Sequence, residues 1–480
     1  MTNIRNLFLL PVLIVGLGLL LTGQAEAQTF TNLHNFTALK SSTNSDGAQP
    51  LFAGLISVGS TLYGTANAGG AEGGGTVFAI NTSGTGFTNI HTFLYDASFN
   101  FTSGVSPEGG LVLSGSTLYG TTEGGGAFTW GDVFAVNTDG TGFTNLYGFT
   151  GGSDGASPRG NLILTGGRLY GTTSGRGGTS VGTVFSVNAG GGGFSNLFIF
   201  PPLDDFSDNT NGAYPNYNLV LAGNTLYGTT QAGGTNGNGT IFALNTDGTG
   251  LTNLYTFTAL NNYFTNSDGA EPYCGLALSG ITLYGTTIKG GTVGCGTVFA
   301  INTDGTGFTN LHSLTQNDGN SQGAGLIVSG STLYGASVNE GPGGEGAVFA
   351  VNTDGTGFTN LYNFTALTGG TNSDGAGPQA GLLLSGNILY GAARFGGTAD
   401  NGTLFALSLP VPPTIGITTA GNQIVLSWPT NATGVNLQTV TSLATGTWSN
   451  VTAGITIDGA NYTFTNTANG SAAFFRLLQP

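Results

Sequence analysis

Lysine and arginine together number only eight in a chain of 480 residues, against 23 aspartates and glutamates, and all charged residues make up 6% of the sequence. A chain with a net charge of −15 and so few cations cannot neutralise phosphates over a useful area, which excludes nucleic acid and anionic membranes as partners. Histidine is nearly as scarce, at three residues, and cysteine stops at two, so neither a histidine-centred catalytic site nor a zinc centre can be assembled from the usual ligands. Long apolar runs are missing after residue 27, and no segment there is long enough to cross a bilayer as a helix. Helical periodicity is absent over the same span. What the chain has instead is glycine, 88 residues of it, set among threonine, asparagine and apolar residues in strict register. Disorder is excluded by that register and by an apolar content of 39%.

The register belongs to a repeat. Leu-Tyr-Gly recurs at Leu62, Leu118, Leu169, Leu226, Leu283, Leu333 and Leu389, at spacings of 50 to 57 residues. An array of one supersecondary unit follows. Each unit reads Gly-Leu-x-Leu-Ser-Gly, Thr-Leu-Tyr-Gly-Thr-Thr, Gly-Thr-Val-Phe-Ala-Ile-Asn-Thr-Asp-Gly-Thr-Gly and Phe-Thr-Asn-Leu-His, which predicts four strands. Apolar runs such as Val77–Ile80 suit a sheet covered on both faces. Ser114-Gly115 and Asp139-Gly140 mark tight hairpins after the first and third strands.

The third-strand motif begins at Gly75, Gly131, Gly182, Gly239, Gly296, Gly346 and Gly402, and the fourth-strand motif at Phe30, Phe87, Phe143, Phe194, Leu251, Phe308 and Phe358. One fourth strand therefore precedes every complete unit, and the last unit lacks its own. That offset closes a ring and removes open sheet edges. The expectation is an all-β protein: a seven-bladed β-propeller over residues 28–409, closed by an N-terminal fourth strand, with a parallel β-helix as the alternative. Residues 410–413 form a Pro-rich linker, and 414–480 a small β-sandwich built around Trp428 and Trp448.

The motifs Leu-Tyr-Gly-Thr-Thr, Gly-Thr-Val-Phe-Ala and Asp-Gly-Thr-Gly-Phe-Thr-Asn-Leu resemble those of the GloVer tandem-repeat family of secreted bacterial proteins, whose C-terminal attachment segment varies. The resemblance implies location and fold, and no activity. Residues 414–480 resemble an immunoglobulin-like or fibronectin-like module. Residues 1–27 read as a signal peptide, with Arg5, the apolar stretch Leu7–Leu21 and Ala25-Glu26-Ala27 before the cleavage point. The product is expected to be secreted, periplasmic or on the cell surface, without a membrane span, and monomeric.

The repeat tyrosines Tyr63, Tyr119, Tyr170, Tyr227, Tyr284, Tyr334 and Tyr390 are read as packing residues, because a binding site draws on differences between units. His34, His91 and His312 share one fourth-strand position with Tyr147, Phe198, Tyr255 and Tyr362, which also argues for packing. The variable connections all emerge at one rim, where binding residues usually sit. Aromatic residues collect there: Tyr95, Phe128 and Trp130, then Tyr214 and Tyr217, then Tyr263 and Tyr273. They are the candidate ligand-binding residues, because aromatic platforms stack on sugar rings while Asn, Asp and Thr bond hydroxyls. Filling gaps beneath long loops is the competing role. Cys274 and Cys295 are expected to form a disulfide in an oxidising compartment, with buried thiols as the alternative. Asp204, Asp205 and Asp208 are the best candidate calcium ligands, although a solvated loop is favoured and no cofactor is expected. Asp46, Asp154, Asp268, Asp318 and Asp374 recur before Gly and read as turn residues. Function is thus expected to be non-catalytic binding of a polysaccharide or a surface protein. A structural or adhesive role and a glycan-cleaving enzyme are the alternatives, and a carboxylate pair at the central channel would favour the enzyme.

Overall fold

A computed structural model describes residues 28–51, 54–95, 103–175, 181–204, 209–323, 325–410, 415–420, 423–429, 436–442, 447–459, 461–467 and 473–478. The signal-peptide reading of residues 1–27 lies outside them. The chain divides into two compact units, one of Thr29–Ser408 and another holding Leu409–Pro480.

In the first unit each sequence repeat forms one antiparallel sheet. The first sheet orders Ile56–Val58, Thr61–Ala66, Gly73–Asn81 and Thr88–Leu94 as successive neighbours, and the same order recurs around the unit. The seventh sheet draws only three strands from its own repeat: Leu383–Ser385, Ile388–Ala393 and Thr403–Ser408. Phe30–Asn35 supplies the fourth, pairing Phe30 with Leu407 and Asn35 with Thr403. The displaced strand therefore joins the end of the chain to its beginning, as its position in the sequence requires.

The sheets pack face on face in a cycle. Val77 and Phe93 of the first meet Leu111, Leu118 and Phe134 at the second, and equivalent clusters link each sheet to the next. Leu33, Leu404 and Ala406 of the seventh meet Leu62 and Phe78 of the first. Between the sixth and seventh, Phe30 stacks on Tyr362 at 4.0 Å, and Phe364 meets Phe405 edge-on at 5.4 Å. A register shift recurs between the third and fourth strands, at Val77/Phe78 in the first sheet and Val133/Phe134 in the second, and such a bulge adds twist.

The repeat motif explains itself at this level. In the second strand, the glycine of Leu-Tyr-Gly lies under the third-strand phenylalanine of its own sheet. A Cβ at Gly64, Gly120, Gly171, Gly228, Gly285, Gly335 or Gly391 would stand 2.4 to 2.7 Å from that ring. Only hydrogen fits there, so the glycine and the phenylalanine, which is 0 to 1% exposed in every sheet, recur together. The leucine beside the tyrosine is fully buried, and the tyrosines join the clusters between sheets.

In the second unit, Gly416–Ala420, Gln423–Pro429, Asn461–Thr467 and Ile455–Asp458 form one sheet, while Ser449–Asn450, Asn436–Val440 and Phe474–Leu478 form another. Leu426, Trp428 and Leu437 are buried together, with Tyr462, Phe464, Phe475 and Leu477 against them. Trp428 occupies that core. Trp448 instead lies under the guanidinium of Arg476, 4.3 Å from its ring centre.

Candidate functional site

The aromatic residues expected at the rim fall into two groups. Tyr95, Phe128, Trp130 and Tyr263 are exposed, with Tyr263 at 83%. They lie against different sheets: Tyr95 follows the first sheet's last strand, Phe128 and Trp130 lie beside Gly148 and Gly151 at the end of the second's, and Tyr263 tips a turn before the fifth. The structure does not bring them together. Tyr214 and Tyr273 are half-buried, and Tyr217 is buried with its ring 4.6 Å from that of Tyr273.

The expected disulfide is not formed, and the structure corrects it: Cys274 and Cys295 are both buried thiols. Cys274 precedes the first strand of its sheet and Cys295 the third, so a whole strand intervenes. Two strand spacings amount to about 9–10 Å, beyond the ~7 Å between Cα atoms that a disulfide spans. Burial pushes the Cys274 thiol up to about 12. Of the candidate calcium ligands, Asp205 and Asp208 lie outside the described residues and Asp204 is exposed. Among the described residues no cluster of His, Cys, Asp and Glu could hold a metal ion.

The recurring Asp-Gly carboxylates do more than turn the chain. Asp46, Asp154, Asp268 and Asp374 are buried, and each accepts from the amide and hydroxyl of the threonine two residues beyond the preceding fourth strand: Thr37, Thr150, Thr258 and Thr365. Their other partner is the fourth-strand ring. His34, Tyr147, Tyr255 and Tyr362 bond Asp46, Asp154, Asp268 and Asp374 at 2.8 to 2.9 Å, and His312 bonds Asp318 at 3.1 Å. The same rings stack on Phe87, Phe194, Phe308, Phe30 and Phe358 of the following fourth strands at 3.8 to 4.1 Å. Burial works against the charge on Asp46, but bonds from His34 and Thr37 hold its carboxyl below the usual range. Where Ser103 replaces the aspartate, His91 Nε2 is buried without a partner and burial depresses that ring to about 4. Histidine and carboxylate are therefore structural on this outer circle.

A second circle lies inside the first. In most sheets the residue before the repeat proline has positive φ: Gln49, Ser106, Ser157, Tyr214, Glu271 and Gly377, at 53 to 62°. Its carbonyl accepts from the amide of the residue that follows the second strand: Asn67, Glu123, Ser174, Gln231, Ile288 and Arg394. Its own amide donates to the preceding sheet, as Ser157 does to the carbonyl of Trp130. This turn stations two side chains per sheet at the central mouth, one after the proline and one after the second strand. Around the unit the first of these positions carries Leu51, Glu108, Arg159, Asn216, Tyr273, Gly323 and Gln379.

These side chains meet. Arg159 pairs with Glu108, Nε to Oε2 at 3.2 Å, and with Glu123. Asn67 donates to Glu108 at 3.2 Å, Asn216 to Gln231 at 2.7 Å, and Arg394 to Gln379 at 3.5 Å. Deeper in, the amide of Gly110 donates to the Asn161 side chain and the amide of Asn161 to that of Asn218. Burial, then the neighbouring Glu123, raise Glu108 to about 8 against the pull of Arg159. Burial also drives Tyr217 well above the ordinary phenol range. Arg159, Ser174, Gly175, Tyr214, Asn216 and Gln231 line a cavity of about 340 Å³. Of the expected residues only Tyr214, Tyr217 and Tyr273 belong here. Arg159, Glu108 and Gln231 were missed, although a variable residue inside an otherwise repeated frame was the signal that could have found them.

A family model described as the Gloeobacter/Verrucomicrobia repeat matches residues 92–265 and 258–468. No curated protein matches the chain. Similar solved structures include an oligogalacturonate lyase from Vibrio parahaemolyticus, at 9% identity and a TM-score of 0.46, covering 81% of this chain and 98% of that one. A quinohemoprotein alcohol dehydrogenase from Comamonas testosteroni matches at 13% identity and 0.46, covering 93% and 77%. A 6-phosphogluconolactonase, so described, from Bacteroides uniformis matches at 16% identity and 0.45, covering 87% and 98%.

Proposed function

The chain belongs to the Gloeobacter/Verrucomicrobia repeat family, and from that footing we propose that it is an exported, non-catalytic, seven-bladed β-propeller that binds a carbohydrate at its central mouth. In this reading residues 1–27 direct export, 28–409 form the propeller, 410–413 link, and 414–480 form an immunoglobulin-like sandwich that attaches or spaces the propeller.

One observation carries the reading. The frame repeats from sheet to sheet, yet the two mouth positions differ, and of the groups they carry Arg159, Ser174, Asn216 and Gln231 line a cavity of about 340 Å³. A cavity of that size suits a small polar ligand or one end of a chain. Amides such as Asn216 and Gln231 both donate and accept, as sugar hydroxyls do, and the ring of Tyr214 lines the same cavity.

Glu108 and Glu123 form a carboxyl pair at the mouth, the feature that would favour a glycan-cleaving enzyme. Their geometry argues against it. Both are held by the one guanidinium of Arg159, whereas glycoside hydrolysis places its two carboxyls about 5–10 Å apart with the sugar between them. The pair acts as a support for Arg159.

Retention of the purified protein on a panel of insoluble polysaccharides, with released sugars assayed in parallel, tests the reading. Retention without products is expected, and Asn216→Ala with Gln231→Ala should weaken it at least tenfold. Released products, or retention indifferent to the double substitution but lost with Trp130→Ala, would displace the site.

A further inference from the structure

Among the described residues two arginines reach the mouth, and their charges are placed differently. Arg159 is held by Glu108 and Glu123. Arg394 follows the second strand of the seventh sheet at the position that carries Glu123 in the second. Its guanidinium donates to the amide oxygen of Gln379 at 3.5 Å and lies 4.5 Å over the ring of Phe395. Its Nε is buried with no hydrogen-bond partner. Among the described residues no carboxylate lies within ion-pair distance of it, and burial pulls its pKa below the ordinary guanidinium value, although Glu108 and Tyr273 are close enough to act on it.

The other described cations are occupied or remote. Lys289 pairs with Glu271, and Arg168 bonds Ser186 and Asn188 beside the hairpin turns of its sheet. Arg476 lies on Trp448 in the second unit, and Lys40 is exposed in a loop of the outer circle. Among its described residues, a protein of net charge −15 thus keeps one half-buried guanidinium with no carboxylate in ion-pair contact at the mouth. Partial burial of an unpaired charge is unfavourable, and an arriving anion with two oxygens matches the fork of N–H groups. Gln379 and Tyr273 flank that fork with groups able to bond hydroxyls.

We propose that the mouth recognises an acidic sugar, a uronic acid at the end or within a polysaccharide, whose carboxylate pairs with Arg394 while Gln379 bonds neighbouring hydroxyls. The inference rests on the carbohydrate-binding reading above. It deepens that reading by fixing the charge of the ligand.

Calorimetric titration with alginate, and with alginate whose carboxyls have been reduced to alcohols, separates the two ideas. The unaltered protein should bind alginate at least tenfold more tightly than the reduced polymer. Arg394→Gln should bring alginate down to the level of the reduced polymer and leave the latter unchanged, and Arg394→Lys should restore part of the difference. Equal affinity for the two polymers overturns this inference alone and leaves carbohydrate binding standing. Binding of neither overturns both. Should Arg394→Gln fail to fold by circular dichroism, the comparison of the two polymers on the unaltered protein still decides.

Discussion

Single residues at the mouth carry the most readable consequences. Glu108 is held near 8 in the folded protein, above the 4.5 of a free glutamate, so between those values the folded state binds more protons than the unfolded chain. Stability from this group is present below pH 4.5 and falls as pH rises towards 8. Buried Asp132, raised to about 7 by burial, acts in the same direction, so the effect of Glu108 must be isolated by difference. Glu108→Gln should leave stability near pH 5 little changed and raise it at pH 8 by more than about 1 kcal/mol, since each tenfold gain in proton affinity on folding is worth ~1.4 kcal/mol. Thermal melts of both proteins from pH 5 to 9 check this, and a constant difference across that range would contradict it. The outer circle was half legible at this scale: aromatic equivalents in the sequence marked the histidines as packing residues. The bond from each ring to an aspartate 6 to 13 residues later was not, because turn chemistry alone already accounted for Asp-Gly.

At the scale of one element, the second strand and third strand form the unit that repeats. Gly228 faces Phe242, and a Cβ there would lie 2.6 Å from the ring and 2.8 Å from Leu219. Gly228→Ala should therefore destabilise by about 1–3 kcal/mol through overpacking. Paired substitution with Phe242→Leu should recover part of that loss in urea denaturation, whereas additive losses would place the cause elsewhere. Strand identity, hairpin turns and this glycine were all legible, because they depend on neighbours within one repeat. The proline turn was legible as a turn, but its geometry was not. Its positive φ at Ser106 or Tyr214 has no glycine to announce it, and the bonds that hold it run to the preceding sheet.

For the whole molecule, closure depends on a strand of six residues. Phe30–Asn35 pairs with Thr403–Ser408, and without it the seventh sheet has an open edge and Tyr362 loses the ring stacked on it. Deleting residues 28–36 should abolish a single cooperative melt and promote association, read by light scattering. A synthetic peptide of the strand added in excess should reverse both effects, and an unaltered monomeric melt would show that the ring closes by other contacts. The sequence by itself determined the strands, their order, the number of repeats and the displaced closing strand, because all of these follow from local pattern and from counting motifs. Only the tertiary structure decided which side chains converge. Loop aromatics that look alike in sequence, such as Tyr263 and Tyr273, part company once their loops are set: one is exposed at the tip of a turn, and the other meets the buried Tyr217. The same placement separates Cys274 from Cys295 by a strand and brings Glu108, Glu123 and Arg159 together from two sheets. Distance along the chain does not encode distance from the axis. That radius is set by which strand of a sheet a residue adjoins and by packing one sheet on the next.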